Sequence, residues 1–483
     1  MTFVSELEPK ALWAHFDHIL TIPRASKDEG RMRDYVIAVA ERNGLEYEVD
    51  PAGNTVVSKP AAPGQEDVPT TILQAHLDMV QEKNSGVALD FETDAIEPVV
   101  DGEYLKANGT TLGSDNGIGV AAMLAIAEDP SLSHGPLELL FTVDEETGLT
   151  GAASLEPGML KGRRLLNLDS EEEGVITIGC AGGADSHLHL PVGEQAAPEG
   201  ATALTVQVSG LRGGHSGVDI HLQRGNAISS LARALYAISL EEPFHLAAFA
   251  GGNAHNAIPR EASATVVFAD SAAAAHFPSL LEVEASAIRK EFEPVDPELT
   301  FDVSDAGAPD SVLDADSTMR ALGFVASLPH GVVSMSYDIP GLVETSTNLA
   351  TVTPTDGGLD ILLSNRSSVD SALTAVRQRI RAAASLVQAE VAEGDGYPGW
   401  QPDVSSPILA IVKGVYTEML GEPEVGAVHA GLECGIIGEK IEGMDMISFG
   451  PQIEFPHSPD ERVHIASVKK FYDVLCTVLE RLG

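Results

Sequence analysis

The chain is poor in cysteine, in basic residues and in long apolar runs, and each shortage excludes something. Only three cysteines occur, Cys180, Cys434 and Cys476. They show no paired spacing, which argues against a disulfide framework or a zinc ribbon. Cys180 and Cys476 sit in apolar runs and read as buried core thiols. A metal in such a chain has to be held by histidine and carboxylate. Lysine and arginine number 29 against 72 acidic residues, a formal net charge of −43. A surface of that sign repels phosphate backbones and anionic lipid, so neither nucleic acid nor membrane is an expected partner. The charge itself is that of a well-solvated surface and does not point to a reaction. No apolar run is long enough to span a bilayer. The opening Met1-Thr2-Phe3-Val4-Ser5-Glu6-Leu7-Glu8 lacks the basic-then-apolar pattern of a signal peptide, and a cytoplasmic location is expected.

What is present points to an α/β protein of more than one domain. At 483 residues the chain exceeds what one core accommodates. Short apolar runs alternate with amphipathic stretches. Helices are expected through the first fifty residues, with Met32 to Asn43 the clearest. Thr70 to Ala75 reads as a buried strand running into His76-Leu77-Asp78. Gly113-Ser114-Asp115-Asn116-Gly117 opens a helix whose body is Ile118 to Glu128. Strands at Leu137 to Val143 and Arg164 to Leu168 deliver Glu145-Glu146 and Asp169, and a further strand covers Val175 to Ile178. Acidic residues thus gather where buried strands end, the place where open α/β sheets put ligand sites. From about Gly183 the texture changes to alternating strands (Leu204 to Val208, Ala264 to Phe268, Leu359 to Leu363) and helices, among them Asn226 to Leu240 and a long one from Val369 to Ala392. After Gly394-Asp395-Gly396 the earlier style returns, with a helix at Pro407 to Leu420 and a strand at Asp445 to Phe449. The expected organisation is a catalytic domain at 1–183 and 397–483, split by an inserted domain at 184–396.

Five short segments carry candidate chemistry. On a strand, residues i and i+2 face one side, so His76 and Asp78 can point into one site, with the carboxylate fixing the imidazole. Such a pair also occurs as an ordinary surface or core feature. Asp115 in its glycine loop reads as a helix N-cap, or as a carboxylate bridging two cations with one oxygen each. Adjacent Glu145 and Glu146 repel one another unless a cation lies between them or one takes a proton. Metal-assisted hydrolysis uses both roles, a carboxylate ligand and a free base. Asp169 is an inward candidate, whereas Glu171-Glu172-Glu173 behind it reads as a solvated charge run. His457, in Phe455-Pro456-His457-Ser458-Pro459, would supply a second imidazole, against the plainer reading of a turn histidine. Two histidines with several carboxylates suit a pair of divalent ions.

In this order, these residues resemble the di-zinc metallopeptidase family that includes aminoacylases, tripeptidase T and carnosinase. Further segments are similar to a dipeptidase branch of that family: Ile22-Pro23-Arg24-Ala25-Ser26-Lys27, Gly251 to Arg260, Tyr397-Pro398-Gly399-Trp400, His429-Ala430-Gly431-Leu432-Glu433-Cys434-Gly435 and Ser448-Phe449-Gly450-Pro451. The resemblance implies a mixed-sheet α/β exopeptidase domain split by an α+β lid and dimerisation domain. It implies dipeptide hydrolysis, Xaa-His dipeptides included, by a water shared between two zinc ions per subunit, with cobalt or manganese as alternative metals. His76, Asp115, Glu146, Asp169 and His457 would be the ligands, with Asp115 bridging, Asp169 on the His76 ion and Glu146 on the His457 ion. Asp78 would orient His76, and Glu145 would be the general base. The Asp115–Asn116 peptide would be cis. His215 in Gly213-Gly214-His215-Ser216-Gly217 would stabilise the oxyanion, and Arg366 would clamp the substrate's carboxylate. Asn256 and the backbone at Gly431 would be further substrate contacts. The partners implied are small peptides and a second copy of the chain. An N-acyl-amino-acid deacylase or tripeptidase on the same scaffold, or a catalytically silent peptide-binding homologue, are the alternative functions.

Overall fold

Four short apolar segments, Thr71–His76 (β1), Leu137–Thr142 (β2), Arg164–Asn167 (β3) and Asp445–Ser448 (β4), lie side by side in the order β2-β1-β3-β4. They are parallel to one another in the computed structural model, which describes residues 2–483. Nearly every residue of these strands is buried, the pattern of parallel strands covered on both faces. Further strands widen the sheet to eight. Thr55–Lys59 and Glu46–Val49 lie beyond β2, and Val175–Cys180 and Glu424–Val428 lie beyond β4. The helix Ser114–Glu128 (α1) packs on β1 and on Lys10–Ile19, and is buried all round from Asn116 to Ala127. Such a helix lies between neighbours rather than at the surface. A separate four-stranded antiparallel sheet joins Pro98–Asp101, Tyr104–Ala107, Arg462–His464 and Ile453–Glu454. The turn between its last two strands carries His457. These elements form one unit, made of the residues through Cys180, Trp400–Ala427 and Leu432–Gly483.

The second unit is Ala181–Gly399 with Val428–Gly431. It differs from the expected insert at 184–396 because backbone pairing extends it. Gly183 and Tyr397 exchange both N–H···O bonds, and Ala181 N–H donates to the carbonyls of Val428 and Ala430. Its nine-stranded sheet is antiparallel and consists of two groups. Thr300–Ala306, Thr202–Ser209, Ala262–Phe268 and His245–Gly251 form one group. Gly331–Met335, Val343–Thr355, Gly358–Ser367, Gly182–Pro191 and Glu390–Glu393 form the other. The groups meet at Gly251 and Val352. Helices Ala227–Ser239, Ser271–Phe292, Ala315–Ser327 and Asp370–Leu386 share one core with the strands, and the rings of Phe244, Phe268 and Phe277 stack 5.3–6.0 Å apart inside it.

Three expectations need correction. The helix expected to reach Ala392 stops at Leu386, and Glu390–Glu393 is a strand on the edge of Gly182–Pro191. Gln388 takes φ 60°, and the N–H groups of Gln388 and Ala389 bond the carbonyls of Ser385 and Ala384. That is the usual helix stop with glutamine where glycine is common, so no glycine marked it. Glu46–Val49 is a strand in a stretch read as helical. Cys180 is buried, but Cys476 is partly exposed. Because Phe277 is fully buried, Phe277→Ala is expected to cost about 3–5 kcal/mol of stability in urea unfolding. A loss below about 1 kcal/mol would show the aromatic cluster to be peripheral.

Candidate metal centre

The parallel strands deliver their next residues to one edge of the sheet. His76 ends β1 with Asp78 two residues on, Glu145 and Glu146 follow β2, and Asp169 follows β3. Asp115 is brought there by its loop. The Glu461 carboxylate accepts the backbone N–H groups of Leu112, Gly113 and Ser114 at 2.7–2.9 Å, as well as the Ser114 hydroxyl. Gly113 has φ 72°, and Arg24 occupies the space a side chain would need there. The Arg24 guanidinium is 2% exposed and donates to the carbonyls of Leu77, Asp78 and Gly113, tying the His76 turn to the Asp115 loop. The Asp115–Asn116 peptide is cis, the geometry the family resemblance leads one to expect. Asn116 donates to the Leu168 carbonyl and to Asp169. Asp78 accepts from Ser26 at 2.8 Å and from the backbone N–H groups of Glu145 and Glu146 at 3.1 Å, while its Oδ1 lies 3.3 Å from His76 Nδ1. One carboxylate thus sets both the imidazole and the paired-glutamate turn.

The contacts around Asp115 divide between its two oxygens. Oδ1 is 3.0 Å from His76 Nε2, which lies 3.3 Å from Asp169 Oδ1. Oδ2 is 3.3 Å from His457 Nε2, which lies 3.0 Å from Glu146 Oε2. Ligand atoms about 2.0–2.1 Å from a tetrahedral ion lie about 3.3 Å from each other, so each group has the spacing of one zinc-type site and Asp115 belongs to both. A further grouping, with donor atoms of His76, Asp115 and Glu146 all within 4.8 Å of one another, joins the two halves through the same aspartate. Glu146 Oε1 is buried without a hydrogen-bond partner, a costly state that a cation would relieve. The residues therefore fit a pair of divalent ions.

Electrostatics agree. Burial acts against a charged His76, but Asp169, Asp115 and Asp78 outweigh it and raise its pKa well above the ordinary value. Hydrogen bonds to Asp115 and Glu146 push His457 up to about 11. Burial would raise Asp115, yet the two imidazoles hold it well below the usual carboxylate range. The site demands positive charge, which protons or metal ions can supply. Burial, helped by Asp169, Glu433 and Glu146, raises Glu145 well above a normal glutamate. Among the described residues, no hydrogen bond or ion pair engages its carboxylate.

The remaining predicted residues fall in the second unit. His215 Nδ1 accepts the backbone N–H groups of Gly217 and Val218 at 3.1 and 3.0 Å, so the neutral ring carries its proton on Nε2. Burial and the Arg366 charge keep its pKa below the ordinary value. Arg366 is 8% exposed, donates to the Tyr397 hydroxyl at 2.9 Å, and keeps Nε without a partner. No carboxylate of the described residues pairs with it. A side chain at Gly217 would collide with the His429 carbonyl and crowd Arg366, and one at Gly431 would strike the Tyr397 ring. His215, Arg366 and Gly431 are thus drawn into one neighbourhood. Asn256 is exposed, and its carbonyl accepts the Ser216 N–H at 2.8 Å. Sequence reasoning missed Arg24, Glu461 and Glu433 as site builders. It also misread Glu171, which is partly buried and lies near Asp115 and Asp169. Burial and those two charges push its carboxyl up to about 9.

Comparisons with known proteins identify the family. The model of the peptidase family M20/M25/M40 matches residues 72–481. The chain is 39% identical over 483 residues to the cytosol non-specific dipeptidase of Escherichia coli (strain K12), covering 100% of this chain and 99% of that protein. It is 40% identical to the aminoacylhistidine dipeptidase of Vibrio alginolyticus, whose crystal structure superimposes with a TM-score of 0.94 over 100% of this chain and 98% of that one. Human carnosine dipeptidase 1, at 12% identity and a TM-score of 0.51 over 98% and 96% of the two chains, shares the fold. Calorimetric titration of the chelated protein with zinc is expected to show about two equivalents, lost together in Asp115→Ala. His76→Ala and His457→Ala are each expected to lose one. Full binding by Asp115→Ala would sink the bridging arrangement.

Proposed function

Because the chain belongs to peptidase family M20/M25/M40, we propose that it is a dipeptidase of broad specificity, cutting Xaa-His dipeptides among others with two bound zinc ions. Its activity is hydrolysis of peptide bonds. The observation that carries the reading is the shared Asp115, each oxygen matched to one imidazole and one carboxylate, with Glu145 left unengaged beside it. The dipeptide preference is supported by whole-length similarity to two dipeptidases. Zinc is favoured by the mixed nitrogen and oxygen donors, which cobalt and manganese also accept. The name of the Escherichia coli relative supports a cytosolic location, and no helix among the described residues is long and apolar enough to cross a membrane. A homodimer follows from the family resemblance.

Divalent ions, when bound, supply Lewis acidity that eases deprotonation of water and polarises the scissile carbonyl. The residues supply the rest. Glu145 takes the proton of the attacking water on a carboxylate oxygen and returns it to the leaving amine. Its elevated pKa, caused mainly by burial, suits a group that must both accept and release a proton. Asp78 keeps the Glu145–Glu146 turn and the His76 ring in place. His215, with its proton on Nε2, is assigned as donor to the oxyanion. Arg366, a buried cation lacking a carboxylate, is assigned to the substrate's C-terminal carboxylate, and that requirement limits substrates to short peptides. Asn256 and Gly431 are assigned as lesser substrate contacts.

Hydrolysis of Ala-His by the purified protein is expected to disappear on chelation and return with zinc. Glu145→Ala is expected to lower kcat by about 10²–10⁴-fold while zinc binding persists. Arg366→Ala is expected to act chiefly on KM for dipeptides. Cleavage of N-acetyl amino acids or tripeptides in place of Gly-Gly and Ala-His would overturn the dipeptidase reading in favour of a deacylase or tripeptidase. Zinc binding without any hydrolysis would leave a peptide-binding protein.

A further inference from the structure

A row of polar side chains crosses the interior of the parallel sheet where apolar residues would be expected. Gln74 on β1, Thr142 on β2, Asn167 on β3 and Ser448 on β4 are all fully buried. Gln74 pairs in register with Asn167, and Asn167 with Ser448, so the three stand abreast. Gln74 and Asn167 each lie two residues before a predicted ligand, His76 and Asp169, and Thr142 ends the strand that leads to Glu145 and Glu146.

The hydrogen bonds in this row run in one direction. Ser448 donates to Asn167 Oδ1, Asn167 Nδ2 donates to Gln74 Oε1 at 2.5 Å, and Gln74 Nε2 donates to Glu433 Oε2 at 2.6 Å. Thr142 donates to the same Glu433 oxygen at 2.7 Å, while Asp169 N–H donates to Asn167 Oδ1 at 3.2 Å. Everything converges on Glu433, the first residue of the helix Glu433–Lys440 (α2), which is itself 0% exposed. Its other oxygen, Oε1, is buried without a partner. A carboxyl in such a place is expensive, and an apolar side chain would fill the space at lower desolvation cost. What an apolar residue could not do is accept two donors from neighbouring strands and hold them level.

We propose that Glu433 is a positioning residue for the metal centre. As the common acceptor of Gln74 and Thr142, it fixes the relative heights of β1, β2 and β3, and through them the placement of His76, the Glu145–Glu146 turn and Asp169. Glu433 touches neither substrate nor ions in this role. The inference rests on the hydrolase reading above, but zinc affinity tests it separately from activity.

The experiment compares Glu433→Leu, Glu433→Gln and Thr142→Val with the wild-type chain. It reads zinc affinity by competition with a chromophoric chelator, kcat and KM on Ala-His, and melting temperature. Glu433→Leu is expected to weaken zinc binding and lower kcat by about 10–100-fold with little change in KM, the usual cost of losing support behind a ligand. Glutamine still offers an oxygen to both donors, so Glu433→Gln is expected to remain within about threefold of wild type in both readouts. Thr142→Val removes one donor and is expected to lower zinc affinity and kcat while melting like the wild type. Native zinc affinity and kcat in Glu433→Leu would overturn the proposal, as would Glu433→Gln impaired as deeply as Glu433→Leu. Should Glu433→Leu fail to fold, native behaviour of Thr142→Val overturns it and an impaired Thr142→Val sustains it. A wild-type chain that binds zinc and cuts no dipeptide would defeat the functional reading, while the zinc affinities would still judge Glu433.

Discussion

Carboxylates gathered at the ends of parallel strands repel one another, and that repulsion is the constraint around which this molecule is built. Asp115, Glu146 and Asp169 approach two imidazoles at 3.0–3.3 Å in a largely buried place. Without compensating positive charge the arrangement would spread apart or take up protons. The upward shifts of His76 and His457 express the same demand. Arg24 contributes a permanent buried charge nearby, yet its hydrogen bonds go to backbone carbonyls rather than to the acids. It braces the site and leaves the demand for cations unanswered. The site is thus poised for ions while the frame that poises it is supplied by the chain.

The frame works because parallel strands end at one level. Their side chains are buried on both faces, apolar residues together with the hydrogen-bonded polar row, so the chain beyond each strand emerges at a defined place and few loop residues need to be held. The loops that are held use carboxylates as acceptors. Glu461 gathers the N–H groups leading into Asp115, and Asp78 gathers those of Glu145 and Glu146. In the second unit the frame is different, since no parallel strand ends there. His215 is oriented through its own loop, and Arg366 lies at the end of an antiparallel strand with the Tyr397 hydroxyl as its support.

Much of this was legible in the sequence because it is local. Strand followed by acid, strand followed by His-x-Asp, and Gly-Ser-Asp-Asn-Gly before an apolar helix each sit within a dozen residues. Elements built by distant pairing were not. Glu461 bonds Leu112, 349 residues earlier, and Glu433 bonds Gln74 and Thr142 across 359 and 291 residues. Nothing beside either glutamate marks it, although Glu433 lies in a segment that the family resemblance had drawn attention to. Glu171 was misread for the converse reason. Three consecutive glutamates look solvated, but one of them turns inward where the chain leaves β3. The stop at Leu386 was invisible because Gln388, not glycine, takes the left-handed turn.

The buried acids also separate by what donates to them, which supports the proposed division into ligand and frame. Asp78 and Glu461 each accept several N–H and O–H groups, and Glu433 accepts an amide and a hydroxyl. A carboxylate satisfied in this way gains little from a cation and is committed to holding its donors. Asp115 and Glu146 are different. Apart from the Glu171 carboxyl beside Asp115, the polar neighbours of their side chains are imidazoles, and one Glu146 oxygen has none. Asp169 stands between the classes, held by Asn116 yet facing His76. Imidazole and carboxylate both offer lone pairs when deprotonated, so their approach without a donor between them is stable only around a shared positive charge. Donor supply, rather than burial or acidity, is therefore what sorts the acids of this site into the two proposed tasks.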